Sequence, residues 1–123
     1  MASVVLSHNF KREVKPLLKK YASLRKELGT LIEELSKQPR KGIRLTSNCY
    51  KIRLAVKSKR KGKSGGLRII THVTFEVVET VKGPLVILLS VYDKSNLATL
   101  SDKDLKGLLR DIESELRSTG LIE

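Results

Sequence analysis

A chain of 123 residues, 40% of them apolar, has the size of one domain and enough apolar surface for one core. No apolar run approaches the length of a membrane span, and the opening Met1-Ala2-Ser3-Val4-Val5-Leu6 lacks the basic start of a signal peptide. The single Cys49 excludes an internal disulfide, so a cytoplasmic protein occupying one domain over 1–123 is expected. The formal charge of +12 is local. Between Leu35 and Phe75 there are twelve Lys or Arg and no Asp or Glu, which leaves 13 bases balanced by 13 acids elsewhere. Such a concentrated excess attracts polyanions and speeds their encounter.

In chain order, Val4, Val5 and Leu6 predict a short first strand, and Ser7 or Asn9 can cap the helix that follows. Phe10, Val14, Leu17, Leu18 and Tyr21 form one apolar stripe at helical spacing, which Pro16 is expected to kink or to shift in its start. Leu24, Leu28, Leu31, Ile32 and Leu35 form a second stripe, with Ser23 as its expected cap. Helices joined this closely predict an antiparallel hairpin, ended by Gln38-Pro39-Arg40-Lys41-Gly42.

The period then changes from helical to alternating. Tyr50, Ile52, Leu54 and Val56 face one way and Lys51, Arg53, Ala55 and Lys57 the other, which predicts a half-buried strand with a cationic outer face. Cys49 reads as a small buried hydrophobe on that strand. Ser58 to Gly66 is a polar, glycine-containing loop. A second strand is expected over Leu67–Val78 and a third over Leu85–Tyr92, whose apolar run Leu85-Val86-Ile87-Leu88-Leu89 suits a central position. Ser101 and Asp104 resemble a capping box before a last stripe of Leu105, Leu108, Leu109, Ile112 and Leu116. The predicted class is α+β: an N-terminal strand and helical hairpin packed on a small, antiparallel-rich twisted sheet, with a C-terminal helix.

Most local motifs point nowhere specific. Gly62-Lys63-Ser64 looks like the end of a phosphate-binding P-loop, but position 57 holds lysine where the first glycine belongs, and a strand follows where a helix should open. Lys57-Ser58-Lys59-Arg60-Lys61-Gly62-Lys63 also matches a nuclear localisation pattern, a frequent chance match. Because the adjoining strand face is cationic too, Lys57, Lys59, Arg60, Lys61 and Lys63 are read as polyanion-contacting residues. His8, His72 and Cys49 do not make a zinc set, and His72 shares strand parity with Arg68. No carboxylate pair and no nucleophile–histidine pattern stands out. Chemistry on this chain would have to run on cations. RNA cleavage by its own 2′-hydroxyl is such a reaction, because Lys and Arg in a partly dry cleft stabilise the negative phosphorane. A lysine among like charges can become a base, whereas arginine cannot readily do so.

Three segments carry a family resemblance. They are Cys49-Tyr50-Lys51-Ile52-Arg53-Leu54 with the basic loop after it, Gly66-Leu67-Arg68-Ile69-Ile70, and the strand ending Ser90-Val91-Tyr92-Asp93-Lys94-Ser95. In order, spacing and charge they resemble the RelE/ParE superfamily of bacterial toxins over positions 44–101, and the flanking helices agree in order and length. Lys61-Gly62-Lys63-Ser64-Gly65-Gly66-Leu67-Arg68 and Tyr92-Asp93-Lys94-Ser95 are similar to its RelE-like branch.

The resemblance implies the toxin of a type II toxin–antitoxin module, an endoribonuclease that cuts messenger RNA in the ribosomal A site by 2′-hydroxyl attack. Its implied partners are the ribosome, messenger RNA and a cognate acidic antitoxin that folds on the basic surface, with no cofactor or metal. By position, Lys51 and Arg53 match the family's two basic strand residues, and Lys51 is the better candidate base. Arg68 matches a phosphate-binding arginine, and Lys94 the arginine that assists the leaving group. The pattern departs at Leu100, where RelE-type members have a tyrosine that stacks on the substrate base. Two other expectations stay open: a ParE-like inhibitor of DNA gyrase without nuclease activity, and a non-catalytic RNA- or DNA-binding module.

Overall fold

The computed structural model describes residues 1–46, 48–59, 66–93 and 100–123. Its elements are β1 (Ser3–Leu6), α1 (His8–Lys20), α2 (Leu24–Lys37), β2 (Ile43–Arg44), β3 (Cys49–Leu54), β4 (Leu67–Thr74), β5 (Leu85–Asp93) and α3 (Asp102–Ser118), with a 3-10 turn at Lys57–Lys59. The sheet order is β1-β5-β4-β3-β2. Only the β1–β5 pair is parallel among the described strands. The α+β class expected from the sequence is the observed one.

The helices divide between the two faces of the sheet. Phe10 and Val14 of α1 and Leu24, Leu28, Leu31 and Leu35 of α2 pack with Tyr50, Ile52, Ile69, Val73, Val86 and Leu88. Leu105, Ile112 and Leu116 of α3 pack on the other face with Cys49, Ile70, Leu85, Ile87 and Tyr92. Every residue of β5 is buried, as its two-sided apolar run requires.

β5 carries a register irregularity: Ile70 pairs with Ser90 but Thr71 with Leu88, so Leu89 is skipped. The parallel partner β1 stops at Leu6, opposite Leu88. Side chains from the start of α1 meet the backbone left over. Ser7 Oγ and Asn9 Nδ2 donate to the Leu89 carbonyl at 3.2 and 2.9 Å. Glu13 Oε1 accepts from Ser90 Oγ at 2.8 Å and from the Val91 N–H at 3.3 Å. The first turns of α1 thus stand in for a strand, because buried backbone groups must be paired somewhere.

Several boundaries differ from expectation. β4 ends at Thr74, not Val78, because β5 begins opposite Thr74 and no strand remains to pair with Phe75-Glu76-Val77-Val78. There the Glu76 N–H turns back to Thr74 Oγ1 at 3.1 Å, and the Val78 N–H goes to the Leu121 carbonyl at 3.0 Å. β2 is an additional two-residue edge strand, reached through Gly42 at φ 105°, where a Cβ would lie 2.5 Å from the Lys51 carbonyl oxygen. Pro16 does not break α1: its ring sits on the exposed side, where water can meet the carbonyl it leaves unpaired. Ser7 caps α1 and Ser101 caps α3, through hydrogen bonds of 3.0 and 3.1 Å. Ser23 does not cap α2; its hydroxyl goes to Glu27 and Ser58 instead.

Candidate nucleic-acid interface

Alternation along β3 sends Tyr50, Ile52 and Leu54 into the α1–α2 core and leaves Lys51 and Arg53 on the α3 side. Pairing then assembles a row across three strands. Arg53 lies opposite Arg68, and Arg68 opposite Tyr92. One step along, Lys51 lies opposite Ile70 and Cys49 opposite His72. Residues directly opposed across antiparallel strands share a face, with Cβ atoms roughly 5 Å apart. The fold therefore places two arginines side by side where like charges oppose folding.

The cations differ in exposure. Arg53 is exposed and Lys51 half-buried, and neither has an ion pair among the described residues. Arg68 is only 3% exposed and donates from Nη1 to the Leu67 carbonyl at 3.4 Å. Its charge works in a low-dielectric setting, where a field reaches further than in water. Tyr92 is 8% exposed and belongs to the α3-side core. Burial pushes its hydroxyl pKa up, while the Arg68 charge and the Leu100 backbone act in the opposite direction. The Leu100 backbone approaches that hydroxyl without good hydrogen-bond geometry. Leu100 itself stands just before the Ser101 cap and packs against the α3-side core, so neither residue presents an aromatic ring to solvent here.

The predicted loop cations separate. Lys57 is exposed, at the head of the 3-10 turn. Lys59 is instead drawn into the protein: its ammonium sits 3.0 Å from Asp93 Oδ1, the two side chains being 9% and 4% exposed. Tyr21 donates to the other carboxylate oxygen at 3.2 Å. A second set of bonds ties the same turn to the α1–α2 junction. Ser58 N–H donates to Ser23 Oγ at 2.9 Å and Lys57 N–H to Glu27 Oε2 at 2.8 Å. The start of the basic loop is thus fixed from two sides. Partners so far apart in sequence give no local signal, so sequence reasoning reads Lys59 as a polyanion-contacting loop residue and misses Tyr21, Glu27 and Asp93. Arg60, Lys61, Lys63 and Lys94 lie outside the described residues.

Cys49 is buried, as expected, with Sγ 3.5 Å from His72 Nδ1. Burial pushes its thiol up to about 11, so it stays protonated and non-nucleophilic near neutral pH. A cleft of about 600 Å³ opens between β4 and α3, beyond His72. Glu76, Glu79, Glu113 and Glu123 line it with Arg117, giving it the wrong sign for a polyanion. The described residues hold no group of three or more His, Cys, Asp or Glu suited to a metal, and no helix long and apolar enough to cross a membrane.

No protein-family model and no curated protein matches the sequence. Among solved structures, a double mutant of the E. coli toxin RelE in its free state is similar, with a TM-score of 0.52 and 24% identity. The alignment covers 80% of this chain and 90% of that one. The chain has a RelE-like fold.

Proposed function

We propose that this chain is a toxin of a type II toxin–antitoxin module that cleaves messenger RNA on the ribosome. The observation that carries the reading is the Arg53–Arg68–Tyr92 row beside Lys51, set on a RelE-like sheet. In the proposed reaction Lys51 takes the proton from the 2′-hydroxyl. The freed oxygen attacks the adjacent phosphorus, and Arg53 and Arg68 stabilise the charge that gathers on the phosphorane. Lys94 delivers a proton to the departing 5′-oxygen, leaving a 2′,3′-cyclic phosphate on the upstream fragment. Exposed Lys57, with Arg60, Lys61 and Lys63, contacts the RNA backbone, whereas Lys59 holds the loop in place through Asp93. An acidic antitoxin is the complementary partner for a chain of charge +12, and the ribosome sets the action in the cytoplasm.

One observation favours a second reading. The face lacks an exposed ring for base stacking at Leu100 or Tyr92, which suits a gyrase inhibitor without nuclease activity. Purified protein incubated with messenger RNA, with and without translating ribosomes, separates the two once new 5′ ends are mapped. Cleavage that requires ribosomes and disappears in a Lys51→Ala, Arg68→Ala double variant is the expected result. Intact messenger from a protein that still arrests growth would move the assignment to gyrase.

A further inference from the structure

Bases and acids balance outside the Leu35–Phe75 window when counted along the chain, but folding separates them in space. α1 carries Lys11, Arg12, Lys15, Lys19 and Lys20, all exposed. Its one acid, Glu13, is turned inward onto Asn9, Ser90 and the Val91 N–H. The other acids lie on α2, on α3, around Glu76 and Glu79, at Asp93 against Lys59 and Tyr21, and at Glu123; of these, Glu115 reaches the start of α1, where it accepts from the His8 N–H at 3.1 Å. At about 100° per residue, Lys11, Arg12, Lys15 and Lys19 fall within an arc of roughly 100° that starts about 60° from Val14 and ends on the side opposite Phe10 and Val14. Lys11, Lys15 and Lys19 form a slanted row that rises about 6 Å and turns about 40° at each step, spanning about 12 Å along the axis. None of these three lysines has an ion pair among the described residues.

Local energetics do not explain this row. Lysines four apart on a helix repel, and Lys11 sits near the helix N-terminus, where the dipole disfavours a cation; only Lys19, in the last turn, is favoured by it. The row also lies on the α1–α2 side of the sheet, opposite the face that carries Lys51 and Arg53.

We propose that the exposed α1 row is a second phosphate-binding surface, and that its ligand is the backbone of double-helical RNA. The row is regular, and no exposed aromatic ring accompanies it among the described residues: Tyr21, which lies 5.3 Å from the Lys20 ammonium, is only 7% exposed. The row can neutralise successive phosphates but cannot stack splayed bases as single-strand binders do. The proposal rests on the preceding reading only in choosing RNA over other polyanions. On that reading the protein grips a structured RNA with α1 while the opposite face meets the messenger.

The test is equilibrium binding of the full chain to a labelled 20-base-pair RNA duplex of mixed sequence, from 50 to 200 mM salt. For the Lys11→Gln, Lys15→Gln, Lys19→Gln variant, the slope of log K against log salt is expected to flatten by about 2–3. The wild-type advantage should accordingly shrink on the order of 40-fold across that range. A triple Lys→Arg variant should keep the wild-type slope. The glutamine variant should melt no lower than wild type, since it removes repulsion, so weak binding is not misfolding. Equal slopes for wild type and the glutamine variant would overturn the proposal. So would a polyglutamate peptide that displaces the duplex at equal charge concentration, which would mark the row as a docking site for an acidic protein. A chain that cleaves no messenger but shows the slope change fails the preceding reading and keeps this one.

Discussion

Lys59→Met offers the sharpest test of how the basic loop is held. The substitution keeps most of the side chain's apolar length and removes the charge that faces Asp93. At 3.0 Å and an effective dielectric near 20, the lost attraction is roughly 5 kcal/mol before any desolvation is returned. Asp93 stays 4% exposed, keeps the Tyr21 hydroxyl at 3.2 Å and loses the Lys59 ammonium. Breaking such a buried pair costs about 3–5 kcal/mol, a large share of the roughly 5–15 kcal/mol that holds a typical domain together. Urea unfolding at neutral pH should show this loss at an unchanged slope. Adding Asp93→Asn in the Lys59→Met background should recover on the order of 2 kcal/mol, because the buried negative charge that Lys59 faced is gone. The reasoning fails if Lys59→Met costs under about 1 kcal/mol, the range of exposed pairs. That result would return Lys59 to the solvated loop, and the salt dependence of RNA binding would then respond to Lys59→Met as it does to Lys57→Gln.

Two further outcomes follow from single residues. Cys49 has its thiol pushed from 9.0 to about 11, so the folded state holds it protonated after the unfolded chain has ionised it. Its contribution is complete below about pH 9 and is lost between about 9 and 11; at pH 10.5 wild type should have lost about 2 kcal/mol more than Cys49→Ala, relative to pH 8. Identical alkaline limbs in urea titrations of the two proteins would contradict the burial. A Cβ at Gly66 would sit 2.1 Å from the Leu54 carbonyl oxygen, so Gly66→Ala should cost about 2–3 kcal/mol by forcing the β3 and β4 ends apart. Gly29→Ala meets no atom within 4 Å and should be neutral or stabilising, which makes it the matched control in the same melts.

The RelE-like fold and the candidate site differ in how far each could be read in advance. Alternation from Tyr50 to Lys57 already puts Lys51 and Arg53 on one face, since strand parity is a property of neighbours in sequence. Their convergence with Arg68 and Tyr92 depends on register, which is set by pairing residues far apart along the chain.

What the sequence alone determined is what repeats locally. The stripes through Phe10, Leu24 and Leu105 made helices, the two-sided run at Leu85 made an interior strand between β1 and β4, and Cys49 fell into the core. The tertiary structure decided whatever needs a distant partner. β4 stops at Thr74 despite a pattern that continues, because a strand exists only where another lies beside it. Lys59 belongs to Asp93 and Tyr21, not to the solvent, because closing the turn brings residues from three elements to one buried point. The charge of α1 emerges in the same way. A linear count pairs its lysines with acids that folding carries elsewhere, and an electrostatic field depends on distance through space rather than position along the chain.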